Sequence, residues 1–357
     1  MRDEMEKAIQ RVASSGAYIL GGEVEELEAM LADYVGVKHC VSCGNGTDAL
    51  LLSLLAMGVG AGDAVFVPDF TFFATAEVVA RVGATPIFVD VKEDTYNIDA
   101  EDLRRKVEGV RKEGVLRPRA VMAVDLFGLL ADYEALRRVT DAEKLLLVED
   151  GAQSFGACRS GHRSGSFGDI SCTSFFPSKP LGCYGDGGAL FTNNDDWAAL
   201  LRSLRVHGRG GEKYENVHIG LNSRLDALQA AVLKVKMKFF EEELKTVQRV
   251  ADEYTNAVVG PVVLPRVPVG YRSSWAQFTV QCRERDLLRK QMAEKGIPTA
   301  VYYPRTMSMQ PAFAALGQPA CPTALRLTKC VMSLPIHPYL TEAEIEDIVM
   351  TINKCSS

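Results

Sequence analysis

Long apolar runs are missing from this sequence: none approaches the roughly 18 residues that would cross a bilayer. The first residues, Met1-Arg2-Asp3-Glu4-Met5-Glu6-Lys7, contain no apolar core of a secretory signal. A cytoplasmic location with no membrane partner is therefore expected. Basic excess is also missing. Lysine and arginine total 40 against 46 aspartates and glutamates, for a formal charge of −6 and a pI near 5.6. No basic stripe is available to neutralise a phosphate backbone, so nucleic acid is not an expected partner. The local cluster Arg202, Arg205, His207 and Arg209 reads as a solvated helix end or as a neighbour of a small anionic substrate. No G-x-G-x-x-G follows the first predicted strand, which weakens a dinucleotide reading. Cysteine is not scarce, but its number is odd: nine, scattered from Cys40 to Cys355, a pattern of reduced thiols rather than a disulfide framework. The C-x-x-C at Cys40 and Cys43 lacks a second pair at finger spacing. Two small buried residues at a strand end are expected there, and no metal site.

A chain of 357 residues exceeds one comfortable core, and two domains are expected. Amphipathic helical patterns alternate with short apolar runs over about the first 200 residues. Glu23 to Tyr34 places Val24, Leu27, Met30 and Leu31 on one helical face. Lys38–Ser42 reads as a strand and Thr47–Met57 as an apolar helix. The runs at 65–67, 86–89, 121–124 and 145–148 are almost continuously apolar, as parallel strands buried on both faces are. The implied architecture is α/β with a mostly parallel central sheet. Arg224 to Leu244 reads as one long helix. The remainder has the mix of a smaller α+β domain: a strand at 277–281 and helices at 283–295 and 342–354. The expected boundary divides residues 1–240 from 241–357.

Three segments carry chemistry. Val148-Glu149-Asp150 places a carboxylate at the end of a predicted strand, the edge where open α/β sheets bind ligands. Such a residue also serves simply to cap a turn. Lys179 lies in Ser174-Phe175-Phe176-Pro177-Ser178-Lys179-Pro180-Leu181-Gly182, an aromatic, proline- and glycine-rich setting unlike a solvated helix face. A desolvated lysine loses its proton more readily, as imine formation requires. Alone it would read as a loop lysine. Asn45-Gly46-Thr47 precedes a predicted helix, where free backbone N–H groups and the helix dipole suit a phosphate, or where an ordinary N-cap would sit. Together they fit pyridoxal 5′-phosphate, which needs a phosphate cradle, an acid for its ring nitrogen and an amine for its aldehyde. Phe72, in Pro68-Asp69-Phe70-Thr71-Phe72-Phe73, offers a flat neighbour for the ring.

These segments resemble the sugar-nucleotide aminotransferases of the DegT/DnrJ/EryC1/StrS type, within fold-type I pyridoxal-phosphate enzymes. The resemblance runs along essentially the whole chain. It includes Gly44 to Leu50, Glu149 to Gln153, Ser174 to Lys179, Gly220 to Arg224, Tyr303-Pro304 and Ser333 to Pro338. It implies that Lys179 is the Schiff-base lysine and proton shuttle, and that Asp150 holds the pyridine nitrogen. Gln153 would face the phenolic oxygen and Phe72 would stack on the ring. Ser174 would bind the phosphate with Gly46 and Thr47, and Asn222 would complete that site from the neighbouring subunit of a homodimer. The bland alternative for Asn222 and Arg224 is a helix cap and a surface charge.

The resemblance further implies ping-pong transfer of an amino group from L-glutamate to a keto group on a nucleotide-linked sugar. The stretch Cys172 to Gly188 most resembles the branch that aminates C3 of UDP-2-acetamido-3-oxo-glucuronate in surface-polysaccharide biosynthesis. Arg224 would face that acid's carboxylate, with Tyr302, Tyr303 and Gln310 against the sugar nucleotide. The alternatives are a dTDP- or GDP-linked 3- or 4-keto-deoxysugar as acceptor, another pyridoxal-phosphate reaction on the same scaffold, or a catalytically silent binding or regulatory protein. Two departures bear on specificity. Many relatives have His-Tyr-Pro and then His-x-Gln where this chain has Tyr302-Tyr303-Pro304 and Ser308-Met309-Gln310. The short stretch that usually precedes the first helix is also missing, which implies a truncated start or a differently built interface.

Overall fold

A computed structural model describes residues 1–212 and 214–354. The strands are β1 (His39–Cys43), β2 (Asp63–Pro68), β3 (Thr85–Val89), β4 (Arg117–Val124) and β5 (Leu146–Asp150). A hairpin of β6 (Cys158–Arg159) and β7 (His162–Arg163) follows, and β8 (Ile170–Ser174) and β9 (Gly188–Thr192) return to the same sheet. That sheet has seven strands in the order β1-β9-β8-β5-β4-β2-β3. All neighbours pair parallel except those of β9, which runs against both β1 and β8. Five of its six parallel strands therefore deliver the site-forming loops to a single carboxyl edge. Beyond it lie β10 (Val262–Val263), β11 (Tyr271–Arg272), β12 (Phe278–Cys282) and β13 (Val331–Leu334); β11 joins the hairpin, and β10-β12-β13 form an antiparallel sheet.

Helices cover both faces of the large sheet, which is why the central runs of β2, β4 and β5 are apolar. Val65 and Val148 enter one core with the helix Gly46–Ala56, and Phe66 and Leu147 enter another with the helix Ala100–Glu113. A third core lies around Val250, Tyr254, Phe278, Met332 and Ile348. No helix among the described residues is long and apolar enough to cross a membrane.

The structure departs from the expected pattern in three places. The single helix over 224–244 is two, Ala227–Met237 and Phe240–Ala257. Adjacent bulky residues on one helix point about 100° apart, and the break after Met237 turns Phe240 fully into the core while Phe239 stays at its margin. Met30, expected on the buried face of its helix, is 36% exposed, and Glu28 is buried instead. The cause is Arg205, drawn out of the supposed solvated cluster to pair with Glu28 and donate to the Ser42 carbonyl at 2.7 Å. Ser42 also donates to Glu28 through its backbone N at 2.9 Å and its hydroxyl at 2.7 Å. Cys40 and Cys43 are buried on β1, in cores on opposite faces of the sheet, so residues three apart on this strand cannot converge on one ion.

Breaking a buried ion pair from one side leaves an uncompensated charge. Arg205→Met is expected to lower unfolding free energy by about 3–5 kcal/mol. Arg104→Met, in an exposed pair with Glu108, should cost no more than about 1 kcal/mol. Urea denaturation of the two variants gives the comparison, and equal losses would contradict the role assigned to Arg205.

Candidate active site

The carboxyl edge of the sheet opens into a cavity of about 500 Å³ that includes Asn45, Gly46, Thr47, Phe72, Asp150, Gln153, Ser174, Lys179, Tyr302 and Tyr303. Each side chain arrives on a different element. Asp150 ends β5, whose alternation sends Glu149 to the opposite face. Its carboxylate is buried, accepting from Thr75 Oγ1 at 2.9 Å and, at 3.3 Å, from the Ala152 backbone N. Burial raises its pKa, with only partial opposition from these donors and from Lys179. A cation held against the carboxylate would offset the burial that these groups leave uncompensated.

Lys179 is half-buried, its backbone N tied to the Phe176 carbonyl at 2.8 Å. Desolvation lowers its pKa and the Asp150 charge raises it, with desolvation the larger effect. Gln153 is held at both ends: its Oε1 accepts from the Phe127 backbone N at 2.7 Å, and its Nε2 donates to the Tyr303 hydroxyl at 3.1 Å. Phe72 is 56% exposed, a ring with one side open to the cavity.

The phosphate-sized end of the cavity is set by close backbone approach. Asn45 caps the helix Gly46–Ala56 by accepting from the Asp48 N at 2.8 Å. A Cβ on Gly46 would lie 2.7 Å from Ser174 Cβ, and one on Gly188 would lie 2.5 Å from the Asn45 carbonyl. Glycine is required at both positions to press the end of β8 and the start of β9 against the helix N-terminus. The first-turn N–H groups and the Ser174 hydroxyl then share one concavity suited to an anion.

A half-buried amine, a buried acid short of a cation, an anion cradle and an open ring fit pyridoxal phosphate group by group. Residues 1–353 match the DegT/DnrJ/EryC1/StrS aminotransferase family. The chain belongs to that family. It is 45% identical to the UDP-2-acetamido-2-deoxy-3-oxo-D-glucuronate aminotransferase of Pseudomonas aeruginosa, over 98% of this chain and 95% of that one. It is 40% identical to a UDP-N-acetyl-3-dehydro-α-D-glucosamine 3-aminotransferase of Acidithiobacillus ferrooxidans, over 99% and 94%. Among solved structures, a DegT/DnrJ/EryC1/StrS aminotransferase from Brucella abortus superposes with a TM-score of 0.97 at 45% identity, covering 100% of this chain and 96% of that one. The α/β fold expected from the sequence is the fold of these aminotransferases.

Three of the family positions marked in the sequence, Asn222, Arg224 and Gln310, do not line the cavity of their own chain. Asn222 is exposed and Arg224 half-exposed, flanking Ser223, whose hydroxyl donates to Asp48 at 2.7 Å and accepts from the Gly44 N at 3.0 Å. Gln310 starts a 3-10 turn over Pro311–Leu316. Its neighbour Ser308 is buried on Asp69, donating through its N at 2.7 Å and its hydroxyl at 2.8 Å. Thr75, which orients Asp150, escaped the sequence reading, as did Asp186 and Gln277 in the cavity wall. A threonine inside an apolar helix and polar residues in loops give no periodic signal.

The opposing influences on Lys179 give a signed expectation. Asp150→Asn removes the charge that raises the lysine's pKa, so the pKa falls further. In apoprotein, the pH profile of Lys179 acylation, followed by mass spectrometry, should move to lower pH in the variant. A move to higher pH would mean that the two side chains do not interact as placed.

Proposed function

We propose that this chain is a pyridoxal-phosphate-dependent transaminase that moves an amino group from L-glutamate to C3 of UDP-2-acetamido-3-oxo-glucuronate, for surface polysaccharide. The observation that carries the reaction type is the convergence of Lys179 and Asp150 on one cavity beside the Gly46–Ser174 cradle. The 45% identity over nearly the whole length of the Pseudomonas enzyme supports the acceptor.

In this reading Gly46, Thr47 and Ser174 hold the cofactor's phosphate, Asp150 its ring nitrogen, Gln153 its phenolic oxygen and Phe72 its face. When bound, the cofactor supplies an electrophilic carbon and an electron sink for the donor's α-carbon. The buried Asp150 carboxylate favours the protonated ring nitrogen because it gains a cation there. Lys179 Nζ would carry the proton from the α-carbon of glutamate to the bound cofactor in the first half-reaction and from the cofactor to C3 of the sugar in the second, a role worth about 10²–10⁴-fold. Its lowered pKa keeps more of the amine neutral for this work. Tyr303, whose hydroxyl burial holds in the neutral form, keeps Gln153 turned into the site. The net change is L-glutamate and keto-sugar to 2-oxoglutarate and amino-sugar.

The active form in this proposal is a homodimer. Ile219 is 93% exposed and Val217 53%, and both precede Asn222 in the same segment. An apolar segment of this kind suits burial against a second copy. Asn222 and Arg224 would then serve the partner's cavity, with Arg224 facing the uronate carboxylate and Tyr302, Tyr303 and Gln310 nearer the nucleotide sugar. Location in the cytoplasm belongs to the same reading.

Borohydride should fix the cofactor's visible absorbance covalently in the wild type and not in Lys179→Ala, whose transamination should fall by at least about 10²-fold. The acceptor is tested by running the reverse half-reaction with a panel of amino-sugar nucleotides and measuring formation of pyridoxamine phosphate. Activity confined to dTDP- or GDP-linked amino-sugars would overturn the uronate assignment, and no covalent fixation in the wild type would overturn the enzyme reading. Arg224→Ala should weaken use of the uronate more than of its uncharged counterpart.

A further inference from the structure

Behind Asp150, on the side away from the cavity, two fully buried carboxyl groups face each other through two serines. Ser154 Oγ lies 2.7 Å from Asp125 Oδ2 and 2.6 Å from Ser164 Oγ, which lies 3.1 Å from Glu149 Oε1. Asp125 and Glu149 have no exposure at all, and Ser154 and Ser164 almost none. No salt bridge reaches either acid among the described residues.

The chain has three links, and each link needs one proton between its two oxygens. The two serine hydroxyls supply two. If both acids were ionised, one contact would be a pair of buried oxygens with no hydrogen between them, at most 3.1 Å apart and so too close for anything else to intervene. The third proton must therefore sit on a carboxyl group, and the other donors say which. Glu149 also accepts from the backbone N of Gly165 at 2.6 Å, of Phe167 at 2.9 Å and of Gly168 at 3.4 Å, and from Ser171 Oγ at 2.7 Å. That shell suits an anion. Asp125 Oδ1 accepts from the Ala131 N and the Tyr133 hydroxyl, each at 2.8 Å, while among the described residues Oδ2 meets only Ser154.

We propose that Asp125 is a positioning residue that carries its proton in the working protein, donating from Oδ2 to Ser154, which donates to Ser164, which donates to Glu149. Burial, and after it the Glu149 charge, push the Asp125 carboxyl well above the usual range. The groups around it are Tyr133 on the helix 133–143, Glu149 and Asp150 on β5, and Tyr271 on β11. What it positions is the turn after β4. Its backbone N donates to the Asp150 carbonyl at 3.1 Å, and two residues on, the Phe127 N holds Gln153 at 2.7 Å. Being neutral, it also adds no second negative charge behind Asp150.

The exchange Asp125→Asn separates the two charge states. An asparagine reproduces the contacts of the protonated acid: its amide donates to Ser154 and its oxygen accepts from Ala131 and Tyr133. A group whose carboxyl pKa is raised by folding loses stability as pH climbs from the unfolded value toward the folded one. The urea midpoint of Asp125→Asn holoenzyme should therefore exceed that of wild type at pH 8, with the gap closing toward pH 5. The infrared carbonyl band of a protonated carboxyl group, present in wild type at pH 8, should vanish in the variant. The acid limb of the transamination profile should stay in place, because no charge has been removed near Asp150. Glu149→Gln should lower the urea midpoint at every pH. A midpoint lowered by Asp125→Asn together with an acid limb shifted to lower pH would show an ionised Asp125 and overturn the proposal. So would persistence of the infrared band in the variant. None of these readings depends on which sugar is the acceptor.

Discussion

The distance between the end of β8 and the first turn of the helix 46–56 governs much of this molecule. Gly46 and Gly188 leave no room for a side chain against Ser174 and Asn45. That contact places a serine hydroxyl among free helix N–H groups, and it fixes where β8 and β9 enter the sheet. Because β8 pairs with β5, the same contact sets the height of Asp150 relative to the cradle. Lys179 follows β8 by a short loop and so inherits its position. Acid, amine and anion cradle are thus spaced by one packing decision rather than by three independent ones.

Behind that front lies a second layer whose purpose is orientation. Thr75 aims Asp150, Tyr303 and the Phe127 N–H aim Gln153, and Ser223 binds the 222–224 segment to Asp48 and Gly44. These bonds connect residues as much as 179 positions apart. Preorganised polar contacts of this type lose little on ligand binding because their ordering is complete beforehand. The buried Glu149 belongs to the same layer, gathering the 164–171 loop beneath β5 so that Asp150 can face the other way.

Much of this was legible in the sequence. Runs at 65–67, 86–89, 121–124 and 145–148 are strands because burial on both faces leaves only apolar residues tolerable, and that signal is strong. The carboxylate after β5 and the cluster around Lys179 were readable for a related reason: polar groups in apolar company stand out. β8 and β9 were less visible because Ser171, Thr173, Ser174 and Thr192 interrupt their apolar character. The break at Lys238-Phe239 could not be read either, since a helical period continues across it. Burial of Arg205 and Glu28 is legible only from the fold, where the two are brought together across 177 positions. Asn222 and Arg224 pose a different difficulty, because a single chain does not contain the surroundings their expected roles require.

The carboxylate of Asp69 lies beneath the stretch that follows Tyr303 and accepts from the Ser308 N and hydroxyl and from the Cys321 N at 2.9 Å. It therefore binds the 306–308 strip down against β2, and position 308 is an anchor rather than a probe of ligand. Replacing that serine side chain would remove one of the three donors to a buried acid and leave the two backbone N–H groups to hold it. The 306–308 strip and Asp69 thus form one mechanical unit: a loop exchanged at 306–308 would keep its footing only if the new segment still offered that carboxylate its donors.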